Sequence, residues 1–190
     1  MKKIVIGTVA LLFLLVGCGQ KKESAEPSKD TTTEALQSTL PVLENANNNT
    51  VVTKTLVLPS DENGVQQTQT ITYKGKHFLT LTIQQKRQVS EDLKNFIAEH
   101  GLEAAKQALK EGEDKDESVQ EARKIPGFNI ETNLLSETEI ETKTSYDFQV
   151  LDVKKASESK YLKNVGLENL LKNEPEEYIE NRVASGATVQ

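Results

Sequence analysis

Residues 67–83 read Gln67-Thr68-Gln69-Thr70-Ile71-Thr72-Tyr73-Lys74-Gly75-Lys76-His77-Phe78-Leu79-Thr80-Leu81-Thr82-Ile83, and their alternation decides the fold class. Successive side chains of a strand point to opposite faces. Over 67–73 this sets Gln69, Ile71 and Tyr73 on one face and Thr68, Thr70 and Thr72 on the other. Lys74-Gly75-Lys76 makes a tight turn. Over 77–89 the same rule points Leu79, Leu81 and Ile83 inward and Thr80, Thr82 and Gln84 outward. Two such runs joined by a short turn predict an antiparallel hairpin with one buried face.

The pattern extends in both directions. Residues 51–58 are rich in Val, Leu and Thr, the composition of a further strand, and residues 59–64, Pro-Ser-Asp-Glu-Asn-Gly, connect it to the hairpin. Downstream, Ser90 is an N-cap, with Glu91 and Asp92 where a helix dipole favours acids. Leu93, Phe96, Ile97, His100, Ala104, Ala105 and Ala108 follow helical spacing, and Gly101 is placed to bend or divide the helix. The acidic stretch 111–121 fits either an extension of that helix or a loop, and Ile125-Pro126-Gly127 ends it. Residues 128–135 and 139–153 form a second pair of strands around Ser136-Glu137, with Ile140, Tyr146, Phe148 and Val150 sharing parity. Residues 157–163 and 167–183 are helical in pattern, with breaks near Gly166 and Pro175, and residues 184–190 are expected to fray. The sum is an α+β domain over 51–190: about five antiparallel strands with helices packed on one face.

The other end of the chain is an address. Residues 1–17 hold Lys2 and Lys3 and then the apolar run 4–16, too short to span a bilayer comfortably. Leu15-Val16-Gly17-Cys18 looks like the lipobox of bacterial lipoproteins. That resemblance implies signal peptidase recognition at Leu15, Val16 and Gly17, cleavage before Cys18, and a diacylglyceryl group on the Cys18 thiol. Two acyl chains, at about 0.8 kcal/mol per buried methylene, anchor a protein firmly. Residues 18–50 then read as a lipidated Cys followed by a flexible polar tether, rich in Ser, Thr, Asn and Lys, with room for a marginal helix at 33–39. Such a coil spans about 30 Å on average and about 110 Å at full stretch. The expected location is the outer face of the bacterial cytoplasmic membrane.

Composition removes whole classes of function. The single Cys excludes an internal disulfide framework and any multi-Cys metal site. The formal charge of -6 argues against capture of nucleic acid. Taking Lys2 and Lys3 from 23 basic side chains leaves 21 against 29 acidic ones, so the mature chain carries -8. An acidic body is repelled by an anionic leaflet and stands off it on its tether.

The lipobox, the polar tether and the order of elements resemble the YehR-like family of small bacterial lipoproteins of unknown function. The stretches that carry the likeness are Thr70-Ile71-Thr72-Tyr73-Lys74-Gly75-Lys76, the approach Ile125-Pro126-Gly127-Phe128, and the Thr-rich strand through Tyr146. The acidic residues at 111–117 depart from that pattern. The resemblance implies an envelope lipoprotein and transfers no catalytic residue.

Catalytic signatures are wanting. His77 and His100 are the only histidines and form no metal-binding pair. Asp114-Lys115-Asp116-Glu117-Ser118 imitates the start of a calcium loop, but Val119 stands where Gly is required and Ile125 where Glu is required. No nucleophile elbow, phosphate loop or dinucleotide fingerprint occurs. The candidate binding face is the threonine surface of Thr68, Thr70, Thr72, Thr80 and Thr82, suited to an envelope protein or glycan, although threonine also favours strands in its own right. The expected protein is a monomeric, non-enzymatic surface lipoprotein, without a cofactor beyond its lipid, that binds an envelope or extracellular partner. A small solute-binding lipoprotein and a wall-acting enzyme with carboxylate chemistry are the alternatives.

Overall fold

The computed structural model describes residues 50–190. The leader, Leu15, Val16, Gly17, Cys18 and the tether up to residue 49, with its helix at 33–39, lie outside the described residues.

Six antiparallel strands form one sheet: β1 (Val51–Val57), β2 (Gln66–Lys74), β3 (His77–Gln88), β4 (Phe128–Leu134), β5 (Glu139–Asp147) and β6 (Thr188–Val189). Their order across the sheet is β4-β5-β3-β2-β1-β6. The meander expected from the alternating segments is present, and the later hairpin docks through β5 onto β3. The helices α1 (Glu91–His100), α2 (Leu102–Lys115), α3 (Glu117–Arg123), α4 (Val153–Glu158), α5 (Leu167–Leu170) and α6 (Pro175–Ala184) complete the α+β architecture.

The inner face carries the core. Leu56, Gln69, Ile71, Tyr73, Leu81, Ile83, Ile130 and Tyr146 are buried against Val119 and Ala122 of α3, Ala156 of α4 and Tyr178 and Ile179 of α6. A smaller cluster of Val89, Ile97, Ala105, Leu134 and Ile140 seats α1 and α2 against the far end of the sheet. Ser90 caps α1 as expected, its Oγ accepting from Leu93 N at 3.3 Å. Gly101, at φ 84°, divides α1 from α2. The acidic stretch resolves into two helices because Asp116 caps α3, its carboxylate accepting from Ser118 N at 2.9 Å. Arg123 then joins α3 to α2 and to the sheet edge, reaching Glu113 at 2.7 Å and the Ile130 carbonyl at 3.3 Å.

Four expectations are corrected. Leu79 does not share the inward face fully. A register shift between Thr72 and Tyr73 pairs Tyr73 with Phe78 and Thr72 with Thr80. This bulge buries Phe78 and leaves Leu79 half-buried. The last strand of the second pair ends at Asp147 rather than 153. Asp147 Oδ1 accepts from Gln149 N, its carbonyl accepts from Leu151 N, and Val150 is 58% exposed. The helix expected at 157–163 lies earlier, at α4, because Asp152 caps it and Ser159 terminates it by bonding the Ala156 carbonyl. The tail does not fray: Ala187 is buried, and β6 pairs with Leu56 and Val57. It supplies the strand missing from the expected five.

Candidate functional site

The helices all sit on the inner side, so the opposite face of the sheet is open. Residues directly opposite each other in a ladder share a face, and the register therefore maps that surface. One row runs Thr53, Thr72, Thr80, Asp147. The next runs Thr55, Thr70, Thr82, Ser145, Asn129. A third runs Val57, Thr68, Gln84, Lys143, Glu131. All five threonines singled out in the sequence fall on this face and on adjoining strands, and none is fully buried.

Their hydroxyls meet across the strands. Thr53 and Thr72 stand 3.0 Å apart, Thr55 and Thr70 3.3 Å, and Thr82 and Ser145 3.4 Å. Further along, Gln85 Nε2 donates to Gln67 Oε1 on the inner side, and Gln84 Nε2 donates to Glu141 on the outer side. A hydroxyl both donates and accepts, so each pair retains capacity for an outside partner.

The face is not flat throughout. A shallow depression of about 370 Å³ opens at the β4–β5 end, lined by Thr80, Thr82, Asn129, Ser145 and Asp147 with Gly127 at its edge. Phe128 and Tyr146 contribute to its wall while remaining buried. Asp147 Oδ1 takes both Gln149 donors, at 3.0 and 3.3 Å, which leaves Oδ2 available. A second depression of about 300 Å³ lies where β3 ends beside the starts of β2 and β5, and holds Gln66, Lys86, Arg87, Gln88 and Glu139.

Sequence reading missed Thr53, Thr55, Asn129, Ser145 and Asp147. The first two were legible from the parity of residues 51–58. The other three join the face only through the β3–β5 and β4–β5 registers, which no local pattern announces.

The histidines stay apart. His77 is exposed at the start of β3, and His100 lies in the last turn of α1, its ring 4.6 Å from that of Phe96. Asp116 serves as a helix cap within the calcium-like stretch. No group of three or more potential metal ligands occurs among the described residues. Three tyrosines resist ionisation. Burial, with the Glu176 carboxylate accepting its proton at 2.7 Å, raises Tyr73 to about 12. Burial raises Tyr161 to about 12, with Glu113 and Asp116 adding to the effect and Arg123 opposing it. Burial also raises Tyr146, against a smaller opposite pull from Thr144.

The fold and its open face define a small α+β protein built as a one-sided sheet. The model of the YehR-like family matches residues 51–182, and the chain belongs to that family. The chain is similar to a protein of Streptococcus pneumoniae TIGR4 solved by NMR: identity is 63%, coverage is 87% of this chain and 100% of that one, and the TM-score is 0.70. It also matches the NMR structure of the YehR protein of E. coli, at 18% identity over 74% of this chain and 91% of that one, with a TM-score of 0.46. No match was found among curated proteins.

Proposed function

We propose that this protein is a lipid-anchored, non-enzymatic component of the bacterial envelope, held on the outer face of the cytoplasmic membrane, whose open sheet face binds an envelope or extracellular partner. The observation that carries this reading is the face itself: eight hydroxyl-bearing residues, Thr53, Thr55, Thr68, Thr70, Thr72, Thr80, Thr82 and Ser145, on four adjoining strands with every helix on the other side. The lipobox at Leu15–Cys18 supports the anchor. The tether meets the sheet at Val51, beside the Lys74–His77 turn, so the first hydroxyl row lies at the tethered end.

Cys18→Ala tests the anchor. The variant is expected to leave the membrane fraction or to accumulate with its leader uncleaved. An unlipidated variant that still sediments with membrane would sink the reading. A solute-binding domain is the second reading, favoured by the polar groups that converge on the depression between β3, β4 and β5.

A further inference from the structure

We infer that the depression formed by Thr80, Thr82, Asn129, Ser145 and Asp147 is a binding site for a neutral saccharide, one unit of a glycan chain laid along the threonine rows. The inference rests on the reading above, that the open face is the working surface, and it names the chemical class of the partner.

Charge decides against the other polymers. The lining holds one carboxylate and no cation. An anionic polymer would meet Asp147 on a chain that is already acidic. A metal ion or polycation would want more than one carboxylate. The nearest base along the strand, Lys143, stands one row away and faces Glu131 across β4 and β5. What remains is an uncharged partner rich in groups that both donate and accept.

The donor set fits that partner. The hydroxyls of Thr80, Thr82 and Ser145 each donate and accept, Asn129 offers an amide, and Asp147 accepts only. Thr82 and Ser145 lie 3.4 Å apart, so a ligand hydroxyl can bridge them. Asn129 Nδ2 donates to Glu131 at 3.1 Å, which leaves its carbonyl oxygen to accept. The volume lies at the lower end of the range for small-ligand sites, roughly 300–1,000 Å³. Phe128 and Tyr146 are buried and offer no open ring for stacking, so a single sugar binds weakly. The continuation of the hydroxyl rows through Thr70 and Thr55, and through Thr72 and Thr53, supplies further contacts for a longer chain.

The test uses the full chain in micelles of a detergent without a sugar headgroup. Cellohexaose and the N-acetylglucosamine hexamer are titrated into it by calorimetry, with amide shifts followed by NMR. Saturable binding of either hexamer, with shifts at Thr80, Thr82, Asn129 and Ser145, is the expected result. Thr82→Val combined with Ser145→Ala should weaken that binding about tenfold. Asn129→Ala, on the exposed edge strand, should weaken it severalfold and guards against a fold defect in the double variant.

Absence of heat and shifts with both hexamers overturns the inference. So does binding that neither variant changes, and so does concentration-dependent self-association that protects the same face. If Ser145→Cys crosslinks to an envelope protein while neither sugar binds, the partner-binding reading survives and the saccharide site falls. Loss of the anchor is read separately, from fractionation of Cys18→Ala.

Discussion

The Tyr178 hydroxyl donates to Gln69 Oε1 at 2.8 Å, a buried bond between residues 109 positions apart. It ties α6 to the middle of β2. Gln69 is fully buried, and its Nε2 meets no partner among the described residues. Tyr178→Phe would leave both polar atoms of that amide unpaired and should cost about 1–3 kcal/mol. Gln69→Leu strands the tyrosine hydroxyl instead. The double variant removes both polar partners and is expected to recover most of the loss. Urea unfolding of the four proteins measures the cycle, and additive single effects would contradict the coupling.

Gly127 is irreplaceable for a reason different from turn flexibility alone. Its φ is 82°, and a Cβ there would stand 2.6 Å from the Asp147 carbonyl oxygen and 2.9 Å from Leu151 N. Both obstacles are backbone, so they cannot swing aside. Gly64 also has a positive φ of 73°, but open space surrounds it. Gly64→Ala should therefore cost about 1–2 kcal/mol from the left-handed backbone alone. Gly127→Ala should cost clearly more and should also distort the depression beside it. Thermal unfolding of the two variants makes the comparison, and equal losses would rule out the steric argument.

The local half of this architecture was legible. The run Gln69, Ile71, Tyr73 named three buried residues of β2, and Ser90 marked the start of α1. The errors fall where the chain's behaviour depends on something distant. Leu79 left its expected place because a bulge opposite Tyr73 inserts one extra residue, which strict alternation cannot represent. Val150 looked like part of a strand by parity, but the β3–β5 ladder ends at Asp147, and after one further bond from Phe148 N to the Leu79 carbonyl the chain turns back on the Asp147 carbonyl. The candidate site was half legible on the same grounds. Thr68 to Thr82 share one hairpin, whereas Ser145 and Asp147 reach them only after the 39 helical and turn-forming residues 89–127 separate β3 from β4 and β5 swings back alongside β3.

The tail offers a direct check of one such distant contact. Gln190 N donates to the Thr55 carbonyl at 2.9 Å, and Thr188 and Val189 pair with Val57 and Leu56. Removing residues 188–190 uncovers the edge of β1. Amide exchange over β1 should then quicken, with little change in β4 and β5 at the far side of the sheet. Uniform acceleration across all strands would mean instead that the tail supports global stability. The shortened protein should also self-associate more readily, because an unpaired edge invites a further strand. Lys54 moderates that tendency, since its charge lies on the inner-facing parity of the edge strand.

Alkaline stability follows from the tyrosines. Tyr73 and Tyr161 ionise near 12 in the folded protein, against 10.0 for an ordinary tyrosine. A folded pKa above the unfolded one means that the unfolded chain sheds its protons first. The associated stability is therefore complete below pH 10 and drains away as pH climbs toward 12. Tyr73→Phe removes one of these groups. Over that interval it should make the fall of unfolding free energy with pH shallower by about one proton's worth, while costing stability at neutral pH through the lost Glu176 contact. Glu176→Gln should act differently, because burial is the larger cause of the Tyr73 shift. Its pKa should fall part of the way and stay above the ordinary value. Denaturant unfolding at a series of alkaline pH values separates the two, and an unchanged slope in Tyr73→Phe would show that Tyr73 ionises alike in both states.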